Sequence, residues 1–327
     1  MLEILSTSDC PVIAGNNESI RGLYQVASIP NHDCLANTVH QFCSLEEDFR
    51  MVVKAGRNIR AGEEITHSYV DAQEPFLVRQ ELLKLGKFFH CCCSRCSDRT
   101  ELGTFSSALL CPSCRSPVIT KDTAQLSSDW ACTKCSKVFP SLKISKVTGA
   151  IKEQAESLEY DKDRLEQCGV EAHEAFLKKY KPILHPNHVV LIRVKYALAK
   201  MYGRMEGYEA NSLTNDQLER KLGLCREVLG VLDVIMPGQS RMRGVMMYEL
   251  HLPLVLLANR QLQRGPGGGA DPAKIKANLK QGLKFLKQGM EILKLQPEGS
   301  FESKIVAGAE HSVVELEKWV QTICEAL

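Results

Sequence analysis

The spacing of the hydrophobic residues divides the chain into two parts. Up to about residue 147, short apolar stretches alternate with turn residues, and residues 49–53 and 64–70 are typical of strands, with Gly56 and Gly62 at turns. Pro75 suits a first helical position, and a helix is predicted from there to about Gly86. The first part therefore predicts short strands, loops and one helix.

The second part has apolar residues at the spacing of amphipathic helices. In four segments the apolar positions are three or four residues apart, which predicts four helices that pack through one face. Asp271 and Pro272 suit an N-cap and a first-turn proline of one of them. We expect helical hairpins, arranged as an irregular helical repeat or as a plain helical bundle. The apolar positions are Leu191, Val194, Leu198, Met201 and Met205; Leu218, Leu222, Cys225, Leu229, Leu232 and Met236; Leu279, Leu283, Leu286, Met290 and Leu293; and Val313, Leu316, Val320, Ile323 and Leu327.

Charge and hydropathy exclude two classes of partner. The 41 basic and 39 acidic residues nearly balance, so the chain has no basic field of the kind that direct nucleic-acid binding requires. The longest apolar run, residues 252–258, is much shorter than the roughly 18 residues of a membrane span. Because the first residues also lack a basic segment before an apolar one, we expect a cytoplasmic or nuclear protein with no membrane contact.

Cysteine is concentrated in the first part, which holds eleven of the fourteen residues of this type. In a reducing compartment such a concentration favours metal binding over disulfides. The pair Cys111 and Cys114 is followed after seventeen residues by Cys132 and Cys135. This spacing is typical of a closed tetrahedral zinc site, and chance proximity of four buried cysteines is the alternative.

A second group of cysteines lies in the segment 89–96. Cys91, Cys92, Cys93 and Cys96 lie so close in sequence that spacing does not say which of the three adjacent residues is excluded from a metal site. Three ligands do not close a structural zinc site, so a fourth must come from elsewhere. The candidates are Cys10, Cys34, Cys43 and His90.

Three motifs in order carry a resemblance to a known family. They are Asn31-His32-x-Cys34 within residues 22–34, Ser68-Tyr69 within residues 65–71, and Phe89 followed by Cys91-x-Cys93-x-x-Cys96. Together they resemble the second half of the SET domain and the post-SET loop of SMYD-class proteins. The insertion after residues 101–104 and the segment 184–188 are most like the arthropod SmydA (msta-like) group.

The resemblance implies an α+β fold in three parts. Residues 1–100 would form the C-terminal part of a SET β-fold with its post-SET zinc loop, and residues 101–147 a zinc-ribbon-like four-cysteine insertion. Residues 148–327 would form an all-α, helical-hairpin (TPR-like) C-terminal domain. The glycine-rich cofactor loop and the zinc-binding MYND module of the class are not recognised before Asn31.

The resemblance also implies the roles of single residues. Asn31 and His32 correspond to residues that contact S-adenosylmethionine, Phe89 to an aromatic residue packed on the adenine, and Tyr69 to the tyrosine beside the transferred methyl group. Cys34 would be the fourth ligand of the post-SET zinc, with Cys92 a bystander. The expected metal ligands are Cys34, Cys91, Cys93 and Cys96 for one structural zinc and Cys111, Cys114, Cys132 and Cys135 for the other.

Three functions follow as hypotheses. The first is a protein-lysine N-methyltransferase that uses S-adenosylmethionine on a protein substrate, a histone being one candidate. Its activity would be reduced or absent if the chain is a truncated form, and Lys87, where the class usually has tyrosine, would add a repelling cation. The second is a non-catalytic, zinc-stabilised scaffold whose helical domain binds partner proteins. A zinc hydrolase is disfavoured because four-cysteine sites leave no open coordination position.

Overall fold

The computed structural model describes residues 10–11, 19–20, 24–42, 50–160, 162–264, 271–296 and 300–326. Small sheets and short helices come first along the chain, and long helices follow, so the predicted α+β class is confirmed. Two compact units are present, residues 1–152 with 181–190 and 233–240, and residues 153–180 with 191–232 and 241–327. The three-part division at residues 100 and 147 stays a prediction.

The first unit contains three two-stranded pairings before its first helix. β1 (Cys10–Pro11) and β2 (Ser19–Ile20) pair antiparallel, as do β4 (Thr38–Phe42) and β5 (Met51–Ala55), whereas β3 (Asn31–His32) and β6 (Thr66–His67) pair parallel. The strand predicted over 64–70 is much shorter, because the Ser68 hydroxyl donates to the Val70 carbonyl and turns the chain. The strand predicted over 49–53 lies at Met51–Ala55, and Phe49 lies outside the described residues.

The first long helix of this unit, α1, runs over Phe76–Lys87. Pro75 is its N-cap, so the helix begins one residue later than predicted, and Phe88 ends it in the left-handed conformation at φ 60°. Phe76, Arg79, Gln80 and Leu83 form its buried face. Because two of these residues are polar, burial of this face requires dedicated hydrogen-bond partners.

A four-stranded antiparallel sheet follows the short helix α2 (Ser94–Ser97). Its strands are β7 (Leu109–Leu110), β8 (Pro117–Thr120), β9 (Trp130–Cys132) and β10 (Val138–Phe139), in the order β10-β9-β8-β7. The sheet lies within the segment for which a zinc ribbon was predicted.

Seven helices of the described chain make up the rest: α3 (Ser141–Tyr160), α4 (Lys162–Tyr180), α5 (Val189–Met201), α6 (Asn215–Ile235), α7 (Arg241–Gln263), α8 (Pro272–Leu293) and α9 (Phe301–Ala326). The four predicted helices correspond to α5, α6, α8 and α9. The N-cap prediction is confirmed, since the Asp271 carboxylate accepts from the backbone N–H groups of residues 273 and 274. The pattern did not predict α3, α4 and α7.

Close backbone contact and a buried ion pair hold the second unit together. A Cβ at Gly289 of α8 would lie 2.8 Å from the backbone nitrogen of Tyr248 in α7, so only glycine allows this approach. Lys221 is fully buried and donates to the last carbonyls of α5 and to Glu249 of α7, at 2.6 Å. No helix among the described residues combines the length and the apolar character that a bilayer span requires.

Candidate functional site

Four cysteine sulfurs converge in the first unit. The Sγ atoms of Cys34, Cys91, Cys93 and Cys96 lie within 4.8 Å of one another. Cys34 is 3.5 Å from Cys96 and 4.0 Å from Cys91. A tetrahedral zinc ion with bonds of about 2.3 Å separates its sulfurs by about 3.8 Å, so this donor set fits the metal.

The local structure selects these four sulfurs from the candidates. The Gln80 side chain donates to the Cys91 carbonyl at 2.8 Å and accepts from the Cys91 N–H at 3.0 Å, which fixes the start of the loop on α1. Cys92 and His90 are exposed and do not belong to the cluster. Cys43 and the side chain of Cys10, the other two candidates, lie outside the described residues.

A buried network of two arginines and one glutamate adjoins this cluster. Arg79 and Arg95 both have no solvent-exposed surface and donate to one oxygen of Glu101, at 2.9 Å and 3.1 Å. Arg79 also lies 3.6 Å from the Cys96 sulfur. Burial acts to raise the pKa of Glu101, but the two guanidinium groups outweigh it and hold that pKa at about 2. The carboxylate is therefore ionised, and Arg79 also brings positive charge to the thiolates.

His32 links the cysteine cluster to Tyr69. Its Nδ1 accepts from the Tyr69 backbone N–H at 3.0 Å, so the ring proton is on Nε2, which lies 3.4 Å from the Cys34 sulfur. Burial lowers the pKa of His32 to about 4, and the ring is neutral near pH 7. The parallel pairing of β3 with β6 sets this geometry, because it places His32 opposite His67, two residues before Tyr69.

An aromatic cluster surrounds this link. The His32 ring centroid lies 5.4 Å from that of Tyr69 and 5.9 Å from that of Phe89, and Tyr69 and Phe89 are 6.5 Å apart, edge to face. The Tyr69 hydroxyl donates to the Pro30 carbonyl at 2.6 Å, and burial raises its pKa. The Lys87 ammonium lies 5.4 Å from the Tyr69 ring centroid.

Asn31 lies at the edge of this cluster. It is exposed, and its side chain donates to the Glu64 carboxylate at 2.6 Å. Asn37 supports the same segment from inside, since it is buried, accepts from the Thr66 N–H at 2.8 Å and donates to the Glu64 carbonyl at 2.8 Å. The backbone around Asn31 is therefore held by side chains as well as by its strand.

The second group of four cysteines also converges. Cys111 is 3.4 Å from Cys135, and Cys114 is 3.4 Å from Cys132. Two backbone N–H groups, of residues 134 and 135, point to the Cys132 sulfur at 3.4 Å, and the residues that follow each pair, Arg115 and Ser136, have positive φ. Tight turns with N–H groups directed at sulfur suit thiolates, so this donor set also fits zinc.

Among the residues singled out in the sequence, the structure brings His32, Tyr69 and Phe89 together with Cys34, and it places Asn31 beside them. The supporting residues Arg79, Gln80, Asn37 and Glu101 were not found from the sequence. A polar residue at a buried helical position is the signal that identifies Arg79 and Gln80, since they flank apolar positions on one face of α1.

Known proteins give an independent comparison. Residues 10–70 match the SET domain family. The chain is 32% identical over 253 residues to the Drosophila melanogaster SET domain-containing protein SmydA-8, isoform A. This match covers 76% of this chain and 52% of the relative. The chain is 27% identical over 235 residues, 69% of this chain and 45% of the relative, to the Arabidopsis thaliana histone-lysine N-methyltransferase ASHR1.

A shorter match is to the human protein-lysine N-methyltransferase SMYD4, with 32% identity over 112 residues. It covers 33% of this chain and 13% of the relative. The chain spans about half the length of the SmydA-8 isoforms that it matches. His32, Cys34 and Tyr69 lie within the matched SET residues, whereas Phe89, Cys91, Cys93 and Cys96 lie C-terminal to them. The chain is thus similar to the SET domain family over residues 10–70, and to SmydA-8 and SMYD4 over the stretches given above.

Proposed function

We propose that this protein is a lysine N-methyltransferase that transfers the methyl group of S-adenosylmethionine to a lysine side chain of a protein. Asn31, His32, Tyr69 and Phe89 would contact the cofactor, and Tyr69 would also orient the reacting amine. A histone is one candidate substrate, because the relative ASHR1 is a histone-lysine N-methyltransferase. A cytoplasmic or nuclear location fits such a substrate.

The observation that carries this proposal is the link from Cys34 through His32 to Tyr69. One histidine ring contacts a metal-site sulfur with one nitrogen and the Tyr69 backbone with the other, at 3.4 Å and 3.0 Å. Because Phe89 precedes Cys91 by two residues, a metal at this site would also fix Phe89, whose ring centroid lies 5.9 Å from that of His32. A closed zinc site would hold all three rings of the cluster at once.

The residues of the cluster suit methyl transfer. This reaction displaces a sulfonium leaving group in line, and it needs an aligned, deprotonated amine rather than an acid or a base in the protein. Aromatic faces attract the cationic amine and the sulfonium group, and they exclude water. The Tyr69 hydroxyl is fixed by its bond to the Pro30 carbonyl and stays protonated, since its pKa is raised.

We further propose that both cysteine clusters bind structural zinc. Four thiolates close the coordination sphere, so neither metal would activate water. The second zinc would stabilise the four-stranded sheet, whose strands are only two to four residues long.

Calorimetric titration with S-adenosylmethionine tests the proposal. We expect saturable binding and transfer of a radiolabelled methyl group to histone or bulk protein lysines, and we expect Tyr69→Phe to reduce transfer with little change in cofactor affinity. Metal analysis should find two zinc ions per chain. Absence of any binding heat would contradict the proposal and would favour the alternative, a non-catalytic zinc-stabilised scaffold that binds partner proteins.

A further inference from the structure

Lys87 brings a positive charge to the aromatic cluster from within the chain. Its Nζ lies 5.4 Å from the Tyr69 ring centroid, although the two residues are far apart in sequence. Within the described part of the chain, the other lysine–aromatic contacts join near neighbours, Lys179 with Tyr180 and Lys200 with Tyr196. The contact of Lys87 therefore depends on the tertiary structure of the site.

The backbone on both sides of Lys87 is fixed. Lys87 is the last residue of α1, and Phe88 turns the chain sharply in the left-handed conformation. Two hydrogen bonds from Gln80 then hold Cys91, which leads into the four-cysteine cluster. The Lys87 amine therefore reaches the Tyr69 ring from an anchored backbone position.

Burial also changes the chemistry of this amine. Partial burial lowers the pKa of Lys87, which raises the fraction of neutral amine near pH 7. The neutral form carries the lone pair that a methyl acceptor needs. On the same helix, Lys84 is exposed, so it offers a comparison without this environment.

We propose that Lys87 is itself a methyl acceptor of this site, modified within its own chain. This inference rests on the proposed function, because it requires S-adenosylmethionine beside Tyr69. The Lys87 ammonium first loses a proton to water. Its Nζ lone pair then forms the N–C bond to the methyl carbon as the C–S bond breaks, and S-adenosylhomocysteine leaves with the sulfur electron pair.

If Lys87 is methylated within its own chain, we expect two results that methylation of a surface lysine would not give. Since donor and acceptor belong to one complex, the fraction of modified chains at a given time should not depend on protein concentration. The modified fraction at Lys87 should also exceed that at Lys84 by at least about tenfold, because a positioned amine avoids the entropy cost of encounter.

The experiment incubates the zinc-loaded 327-residue chain with S-adenosylmethionine that carries a deuterated methyl group. Peptide mass spectrometry then measures the label at each lysine, over a tenfold range of protein concentration. Lys87→Arg keeps the cation but removes the acceptor, and Lys84→Arg is the matched control. A urea-unfolded sample measures uncatalysed methylation.

We expect label at residue 87 in the folded wild-type chain and in the Lys84→Arg chain, and none above the unfolded background in Lys87→Arg. Calorimetry of the same samples separates the two proposals. If the wild type and Lys87→Arg both bind the cofactor and residue 87 stays unlabelled, only this inference is overturned. If neither chain binds the cofactor, both proposals are overturned. Labelling that rises with protein concentration shows transfer between chains and also overturns the inference.

Discussion

Glu101 is the carboxylate that two fully buried arginines share in the network beside Cys96, and its neutralisation should be costly. The change Glu101→Gln keeps the size of the side chain and removes its charge. Arg79 and Arg95 would then share a buried site, as like charges, without the carboxylate that now lies 2.9 Å and 3.0 Å from them.

The magnitude follows from these distances. At about 3 Å and an effective dielectric constant of about 20, each ion pair has a gross attraction of about 5 to 6 kcal/mol. Desolvation of the three groups offsets most of that sum, and removal of one partner of a buried pair typically costs about 3–5 kcal/mol. We expect Glu101→Gln to lower the free energy of unfolding of the first unit by about 3–5 kcal/mol.

Urea unfolding followed by tryptophan fluorescence measures the effect. The chain has two tryptophans, Trp130 in the first unit and Trp319 in the second, so Trp319→Phe leaves a probe of the first unit alone. Glu81→Gln is the control, because Glu81 is exposed on the same helix as Arg79, and it should change stability by less than about 0.5 kcal/mol.

A second variant distinguishes unpaired charge from lost packing. Removal of both members of a buried ion pair often costs far less than removal of one. Glu101→Gln combined with Arg95→Gln should therefore recover part of the loss. If Glu101→Gln alone unfolds within about 0.5 kcal/mol of the wild type, the carboxylate does not neutralise the arginines, and the reasoning is wrong.

Three further predictions concern metal, packing and pH. Cys34→Ser should reduce bound zinc from two ions to one by metal analysis, whereas Cys92→Ser should keep both. Gly289→Ala should destabilise the second unit by about 1–3 kcal/mol in urea unfolding. Gly223→Ala, with no described atom within 4 Å of the new Cβ, should stabilise it by about 0.5–1 kcal/mol. Burial lowers the pKa of His188 to about 4 from 6.5. The unfolded state therefore binds more protons between these values, and stability should fall below about pH 6.5 by up to 1.4 kcal/mol per pH unit, a slope that His188→Gln should reduce.

The sequence predicted the second cysteine cluster and the one-sided helices because each is encoded locally, whereas Cys34 was assigned to the first cluster only through the resemblance. Two Cys-x-x-Cys pairs bring four sulfurs into range of one metal, and α8 shows its apolar face at every third or fourth residue. The N-cap at Asp271 can be recognised from three adjacent residues. In each case the physical constraint acts over a short stretch of chain.

The features that the sequence did not predict depend on distant partners. α7 contains Pro253 and is buried on several sides, so it has no one-sided apolar stripe, and its apolar run at residues 252–258 was noted only as too short to span a membrane. Arg79 and Glu101 form an ion pair, but no helical or strand periodicity relates their positions in the sequence. The strands around His32 and Tyr69 pair over two residues only, which is too short for a pattern to arise.

The two cysteine clusters differ in how much chain must be organised before each can close. In the second cluster, Cys111 and Cys135 are 24 positions apart, whereas Cys34 and Cys96 of the first are 62 positions apart. The longer loop adds about 0.8 kcal/mol of closure entropy, and its last thiol must also wait until β3 and β6 are paired. When the complete chain refolds, we therefore expect the second cluster to acquire its metal first, and Cys91, Cys93 and Cys96 to hold an incompletely ligated ion until the segment that follows β3 brings Cys34 to them.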